Sequence, residues 1–233
     1  MIFNDVDLSP YLHVSKVSRP LLPGRRLETT AVPGMHGVYV ADQGLEATEL
    51  EVECYMTARS VADVSELRHL LSSVLFTSEA KKLILDDEPD RYFLAWYKGG
   101  ADISRNAHKP SVTLTFLCSD PVAYGEIKTA SLSTSRKKIN TGGTTKTWPV
   151  ITATPSSGSY WRLTNYTTGE FVRVDATFTG SQTVVIDMVN EQLTIDGTDH
   201  LVTITSDFFA LDGTQELYIS SGTATMEWQE RWL

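Results

Sequence analysis

The chain is poor in the residues that most often announce chemistry. Two cysteines, Cys54 and Cys118, in 233 residues are too few for a disulfide framework or, by themselves, a zinc site. Each sits among apolar neighbours at a strand-like position, which points to buried thiols, with a bridge between facing strands as the alternative. His13, His36, His69, His108 and His200 are scattered, and no two stand at metal-ligand spacing. The GxSxG elbow, HExxH, the phosphate loop and the dinucleotide fingerprint are all missing, so no cofactor or metal is expected. No apolar run approaches the roughly 20 residues of a membrane-spanning helix. The first ten residues carry Asp5 and Asp7 and do not resemble a secretion signal. Neither half of the chain is basic, and the net charge of −9 argues against specific nucleic-acid binding.

What is present is strand pattern. An apolar content of 41% suffices for a core in each of two domains at this length. The organising stretch runs from Pro20 to Met56. It holds a di-leucine between prolines, a corner at Pro33-Gly34, and a run in which Val52, Cys54 and Met56 alternate with Glu49, Glu51 and Glu53, the period of a strand with one wet face. Arg25 to Val32 and Val38 to Ala41 pattern weakly around a Gly-rich turn. The stretch reads as paired strands on an arm, and such an arm is either a mobile loop or a piece meant for a neighbouring subunit. Arg25, Arg26, Val32, Pro33, Gly34, Val38 and Tyr39 are its candidate contact residues.

Around this arm the first half reads as strands with one helix. Met1 to Tyr11 and Tyr11 to Ser18 form an opening strand pair. Val61 to Phe76 is the helix, capped by Ser60 with Asp63 three residues on, and its face of Val61, Val64, Leu67, Leu71, Val74 and Leu75 is expected to pack on its own domain's sheet. Lys81 to Asp86 and Arg91 to Tyr97 flank a turn at Asp87-Glu88-Pro89-Asp90. That acidic cluster lacks the ligand spacing, central Gly and closing Glu of a calcium loop. Gly99 to Lys109 is a polar connection, and Ser111 to Cys118 is a strongly alternating strand.

Composition shifts to Ser, Thr, Gly, Lys and Arg between Ala130 and Lys146, which places a domain boundary at 132/133. Arg136, Lys137 and Lys138 read as a solvated linker or strand end. Beyond Trp148 the pattern is all short strands: Val150 to Ala153, Tyr160 to Asn165, Glu170 to Val174, Thr183 to Asp187, Gln192 to Ile195, Leu201 to Thr203, Glu216 to Ser220 and Thr223 to Trp228. Turn residues separate them, Asp196-Gly197 being the clearest hairpin, and a sandwich or jelly roll follows. Asp175, Asp187, Glu191 and Asp207 offer carboxylates for a hydrolase, without a spacing that distinguishes them from surface charge. Trp148, Tyr160 and Trp161 offer a stacking platform for host cell-wall glycans; burial between sheets is the competing reading, and Tyr160 and Trp161 must face opposite sides of a strand.

Several short motifs, in order, resemble the distal tail protein family of siphophages. They are Phe3 with Asp7-Leu8-Ser9, Arg19-Pro20 to Pro23-Gly24, the corner near Gly34 and Gly37, Pro89 to Tyr92, and Phe116 to Pro121. The second half adds Trp148 to Ile151, Leu163 to Asn165, Val185 to Asp187, Phe208 to Gly213 and Trp228 to Arg231. The resemblance implies a mainly β protein: a tail-tube-like β-sandwich or barrel with one helix over 1–132, which forms a hexameric ring, and a galectin-like, jelly-roll β-sandwich over 133–233. It further implies a non-enzymatic virion hub at the tail tip, assembled in the host cytoplasm. The implied partners are its own copies, the tail tube and tape-measure proteins, a tail-associated fibre or lysin protein, and a receptor-binding protein in some phages. Extra carbohydrate-binding modules of longer members are not visible here.

Overall fold

The computed structural model describes residues 1–103 and 110–233; His108 and the later part of the Gly99–Lys109 connection lie outside the described residues. The chain divides into two compact units between Ala123 and Tyr124, earlier than the expected 132/133.

The first unit opens with the hairpin β1 (Ile2–Phe3) and β2 (Val6–Asp7), followed by β3 (Leu12–Ser18), β4 (Arg25–Thr30), β5 (Tyr39–Leu45) and β6 (Thr48–Met56). The helix α1 (Val61–Leu75) precedes β7 (Lys81–Ile84), β8 (Phe93–Tyr97) and β9 (Ser111–Cys118). Seven strands form one sheet in the order β2-β1-β7-β8-β9-β6-β3, while β4 and β5 form a separate two-stranded sheet. The opening strands therefore differ from expectation: β1 pairs with β2, and β3 pairs with β6 across a bulge between Val14 and Lys16.

Along β6, burial alternates through all nine residues. Leu50, Val52, Cys54 and Met56 meet Leu114, Phe116 and Cys118 of β9 in the core, and Phe116 has Phe3 at 5.1 Å and Tyr97 at 5.9 Å between ring centroids. Cys54 and Cys118 are free and buried; burial pushes their thiols up to about 11 and about 12, because a thiolate there would lose its hydration. Helix α1 starts where Ser60 and Asp63 form a reciprocal capping box. Hydrogen bonds from the Ser60 hydroxyl and the Arg59 backbone N–H hold the Asp63 carboxyl below its ordinary value. Leu71 and Leu75 join the core, with Val64, Leu67 and Val74 packed against it, whereas Val61, at the helix start, is exposed.

The second unit is a two-sheet sandwich. Its strands are β10 (Ala123–Leu132), β11 (Lys137–Asn140), β12 (Val150–Thr154), β13 (Trp161–Asn165), β14 (Phe171–Val174), β15 (Val184–Asp187), β16 (Gln192–Ile195), β17 (Thr198–Asp199), β18 (Thr214–Ile219) and β19 (Thr223–Trp232). One sheet runs β10-β19-β12-β15-β16-β17 and the other β11-β18-β13-β14. Between them lie Ile151, Trp161, Leu163, Val172, Ile186, Leu217 and Met226. The fold is that of a galectin-like β-sandwich.

Two sequence readings change here and one holds. The boundary stretch Ala130–Lys146 carries the end of β10 and all of β11, so Lys137 and Lys138 open a strand, and its Gly143 marks a close approach: an added Cβ would lie 2.2 Å from the Arg231 carbonyl oxygen, so only glycine fits. Leu201 to Thr203 is not a strand. The segment is held as a turn, with Thr203 N–H donating to Arg173 O at 2.9 Å and Ser206 N–H to Thr203 O at 2.9 Å. The Asp196-Gly197 hairpin forms as expected, with φ of 50° and 78° at the two loop residues and Ile195 opposite Thr198; both values suit the primed turn that matches strand twist.

Candidate functional site: the β4–β5 hairpin

The hairpin is built from residues that its own unit does not bury. Every residue of β4 is exposed, and along β5 only Leu45 is partly covered. Cross-strand partners share a face, and the register pairs Leu27 with Asp42, Glu28 with Ala41, Thr29 with Val40 and Thr30 with Tyr39. One face therefore carries Leu27, Thr29, Val40 and Asp42, the other Glu28, Thr30, Tyr39, Ala41 and Gln43. Neither face is polar throughout: Tyr39 is 64% and Val40 57% exposed. Two-stranded hairpins are marginal alone, and here both outer edges lack a strand partner among the described residues.

Local bonds fix its shape. At the base, Glu46 N–H donates to Gly24 O at 2.7 Å, and Arg25 pairs with Asp42 at 2.6 Å. Gly44 N–H donates to the Asp42 carboxylate at 3.0 Å, and the Gln43 amide donates to Glu28 on the opposite face. Arg26 sits in a register shift between Arg25 and Leu27, where a bulge adds twist. At the tip, Met35 N–H donates to Val32 O at 3.1 Å with Gly34 at φ 84°. Pro33 then Gly34 is what a type II turn requires.

The structure thus brings Arg25, Arg26, Val32, Pro33, Gly34, Val38 and Tyr39 onto one hairpin, all exposed. It separates them from β6, which sequence placed on the same arm and which belongs to the seven-stranded sheet. Sequence reasoning did not include Leu21, Leu22, Leu27, Met35 and Val40, whose side chains are also exposed. The di-leucine between prolines was the available signal, since a proline-bounded pair has no strand ladder to join.

The glycan platform does not form as expected. Trp161 is 0% exposed and its indole N–H donates to Ser221 O at 3.1 Å, so no sugar can reach its face. Tyr160 is half-exposed with the Arg173 guanidinium 4.4 Å from its ring centre. Trp148 is 38% exposed with Arg231 at 5.1 Å. Two of the four carboxylates have structural work: Asp175 pairs with Arg173 at 2.7 Å, and Asp187 accepts from the Val189 and Asn190 backbone N–H groups. Near Pro89, Asp87 and Glu88 pair with Arg19 at 3.2 and 3.0 Å. Among the described residues no cluster of His, Cys, Asp or Glu could hold a metal ion, and no helix is long and apolar enough to cross a membrane.

Comparison with known proteins gives a consistent picture. Residues 6–118 match the family model of the phage tail protein RIFT-related domain. Residues 142–232 match that of the siphovirus-type tail component, C-terminal domain. The chain is 24% identical over 241 residues to the distal tail protein of Bacillus phage SPP1, covering 100% of this chain and 95% of that relative. The crystal structure of that SPP1 protein, described as a paradigm of the hub adsorption apparatus in phages infecting Gram-positive bacteria, superposes with a TM-score of 0.87 at 21% identity, covering 100% of this chain and 98% of that chain. A chain of the phage P2 baseplate aligns at a TM-score of 0.41 and 10% identity over 94% of this chain and 90% of that one, too distant to bear on the fold.

Proposed function

The chain belongs to the siphophage distal tail protein family, a structural component of the tail hub, and from that premise we propose that six copies close a ring in which each β4–β5 hairpin lies across the next subunit. The observation that carries this reading is a hairpin with apolar side chains on its exposed faces and two edges without a strand partner among the described residues. An exposed edge pairs readily with another chain's strand. A head-to-tail contact repeated around a ring closes on itself and leaves no open end. Obligate interfaces of this kind bury about 2,000 Å² or more, and a hairpin laid on a neighbour adds area without enlarging either core.

In this reading the first unit forms the ring, and the galectin-like unit faces other tail-tip components. The partners are the tail tube and tape-measure proteins on one side and a fibre or lysin protein on the other, with a receptor-binding protein in some assemblies. The protein acts by geometry, without turnover, at the virion tail tip after assembly in the host cytoplasm. The first-unit hairpin, more than any pocket or titrating group, supports this role.

Native mass spectrometry and negative-stain microscopy test it. A hexamer mass and ring-shaped particles are expected at micromolar concentration. Removing Arg26 to Asp42 joins Arg25 to Gln43 above a base already closed by Gly24 and Glu46, so both units should fold while the ring is lost. A ring that survives the deletion returns the hairpin to a surface loop. A strictly monomeric protein, alone and with tube and fibre partners, removes the ring reading.

A further inference from the structure

The outward face of the sheet β11-β18-β13-β14 is basic and aromatic in a chain whose net charge is −9. Register places Lys138 opposite Glu216, Thr164 opposite Tyr218, and Arg162 opposite Arg173 and Thr164 opposite Phe171, all on the side away from the buried Leu163, Val172 and Leu217. Arg136, just before β11, lies over the Tyr166 ring at 3.7 Å, Arg162 over Phe171 at 3.8 Å and Arg173 over Tyr160 at 4.4 Å. Four of the seven Lys and Arg residues beyond residue 130 thus share one face, with Glu216 and Asp175 as acids beside them.

Two features suit this face to an anion. Like charges placed directly opposite across strands destabilise a sheet, yet Arg162 and Arg173 are such a pair. Only Arg173 has a carboxylate, Asp175 at 2.7 Å; the buried Arg162 Nε has no hydrogen-bond partner among the described residues. A guanidinium laid on an aromatic ring is held in one plane for bonds to carboxylates; at Arg162 the two Nη groups serve, since Nε is buried.

We propose that this sheet face docks an acidic segment of a partner protein, with Arg136 and Arg162 as the principal anchors. A neutral sugar would stack on a bare ring, but the guanidinium groups lie over the rings of Tyr166, Phe171 and Tyr160. What the face offers instead is arginine beside tyrosine, the composition of energetic centres in protein interfaces. The inference does not depend on ring closure, which uses the other unit.

The test uses the full chain and a fluorescein-labelled peptide of alternating Glu and Ala, read by fluorescence anisotropy. Saturable binding at low salt is expected, weakening as NaCl rises through the range where screening becomes short. Arg136→Gln with Arg162→Gln should weaken it about tenfold or more, as expected for lost charge-assisted pairs, while the paired Arg→Lys changes weaken it less. Unchanged thermal melting of these variants excludes misfolding as the cause, and an unchanged oligomer mass separates this surface from the ring. No peptide binding, or binding indifferent to the Gln changes, overturns the proposal. So does tighter binding of maltohexaose or oligogalacturonate than of the peptide, which would make the face a glycan site, or loss of self-association in the Gln variant, which would make the occupant a second copy.

Discussion

Strands β5 and β6 are separated by only Glu46 and Ala47, yet they have opposite fates. On β6 every second side chain is buried, because β3 and β9 flank it and the core lies under one face. On β5 the residues Tyr39, Val40, Ala41, Asp42 and Gln43 meet solvent on both faces, and β4 is its one strand partner among the described residues. Strand formation therefore needs only a partner backbone, whereas burial needs a second layer. The hairpin has the first without the second, which is why a neighbouring molecule is the natural place to look for it.

The contrast can be broken by substitution, most strongly in the core. Phe116→Ala should cost the first unit about 3–5 kcal/mol, the range for large aromatic truncation, because it empties the space between Phe3 and Tyr97; calorimetric unfolding of that unit reads the loss. A loss of the same order should follow alkaline titration. Cys54 and Cys118 rise from an ordinary 9.0 to about 11 and about 12, so the folded state keeps protons that the unfolded chain releases. Their contribution is complete below pH 9 and disappears as pH climbs towards 12. Urea midpoints across that window should fall, and fall less in Cys118→Ala relative to its own value at pH 8. Ser60→Ala removes one side of the capping box and should cost about 1 kcal/mol, seen in the same calorimetric transition. At the small end, Val40→Thr on the hairpin should change the monomer by no more than about 0.5 kcal/mol while weakening the ring. A Val40→Thr protein that unfolds as readily as Phe116→Ala would mean that the hairpin has a hidden layer in its own subunit.

The same contrast recurs between adjacent residues of the second unit. Trp161 is enclosed and donates to Ser221 O, while Tyr160 faces outward beneath Arg173. Sequence required them to face opposite ways but did not say which went inside. Trp228 shows the same device, its indole N–H donating to Thr141 O at 2.8 Å, so that a large ring is buried without leaving a donor unsatisfied.

Where local chemistry is strong, the fold was legible. The helix and its Ser60–Asp63 cap, the alternation of β6 and β9, and the Asp196-Gly197 turn are each set by residues close in the chain. β10 and β11 were taken in part for a linker because their Ser, Thr and Lys content is that of a wet loop; β19 and β18 pair with them and make them strands. Leu201 to Thr203 erred the other way. Its alternation suggested a strand, but its backbone is committed to Arg173 and Ser206, and Leu201 and Ile204 stay exposed.

By itself, then, the sequence determined a mainly β chain with one capped helix, buried thiols, a turn-rich second half and a family resemblance that spans it. Tertiary structure decided that β6 leaves the arm for the main sheet, that Trp161 is core, that the compact units part between Ala123 and Tyr124, and that arginines distant in sequence share one face. The reason is range. Caps, turns and alternation act over a few residues and are written where they act, whereas burial and charge clustering depend on partners brought together only when distant strands pair.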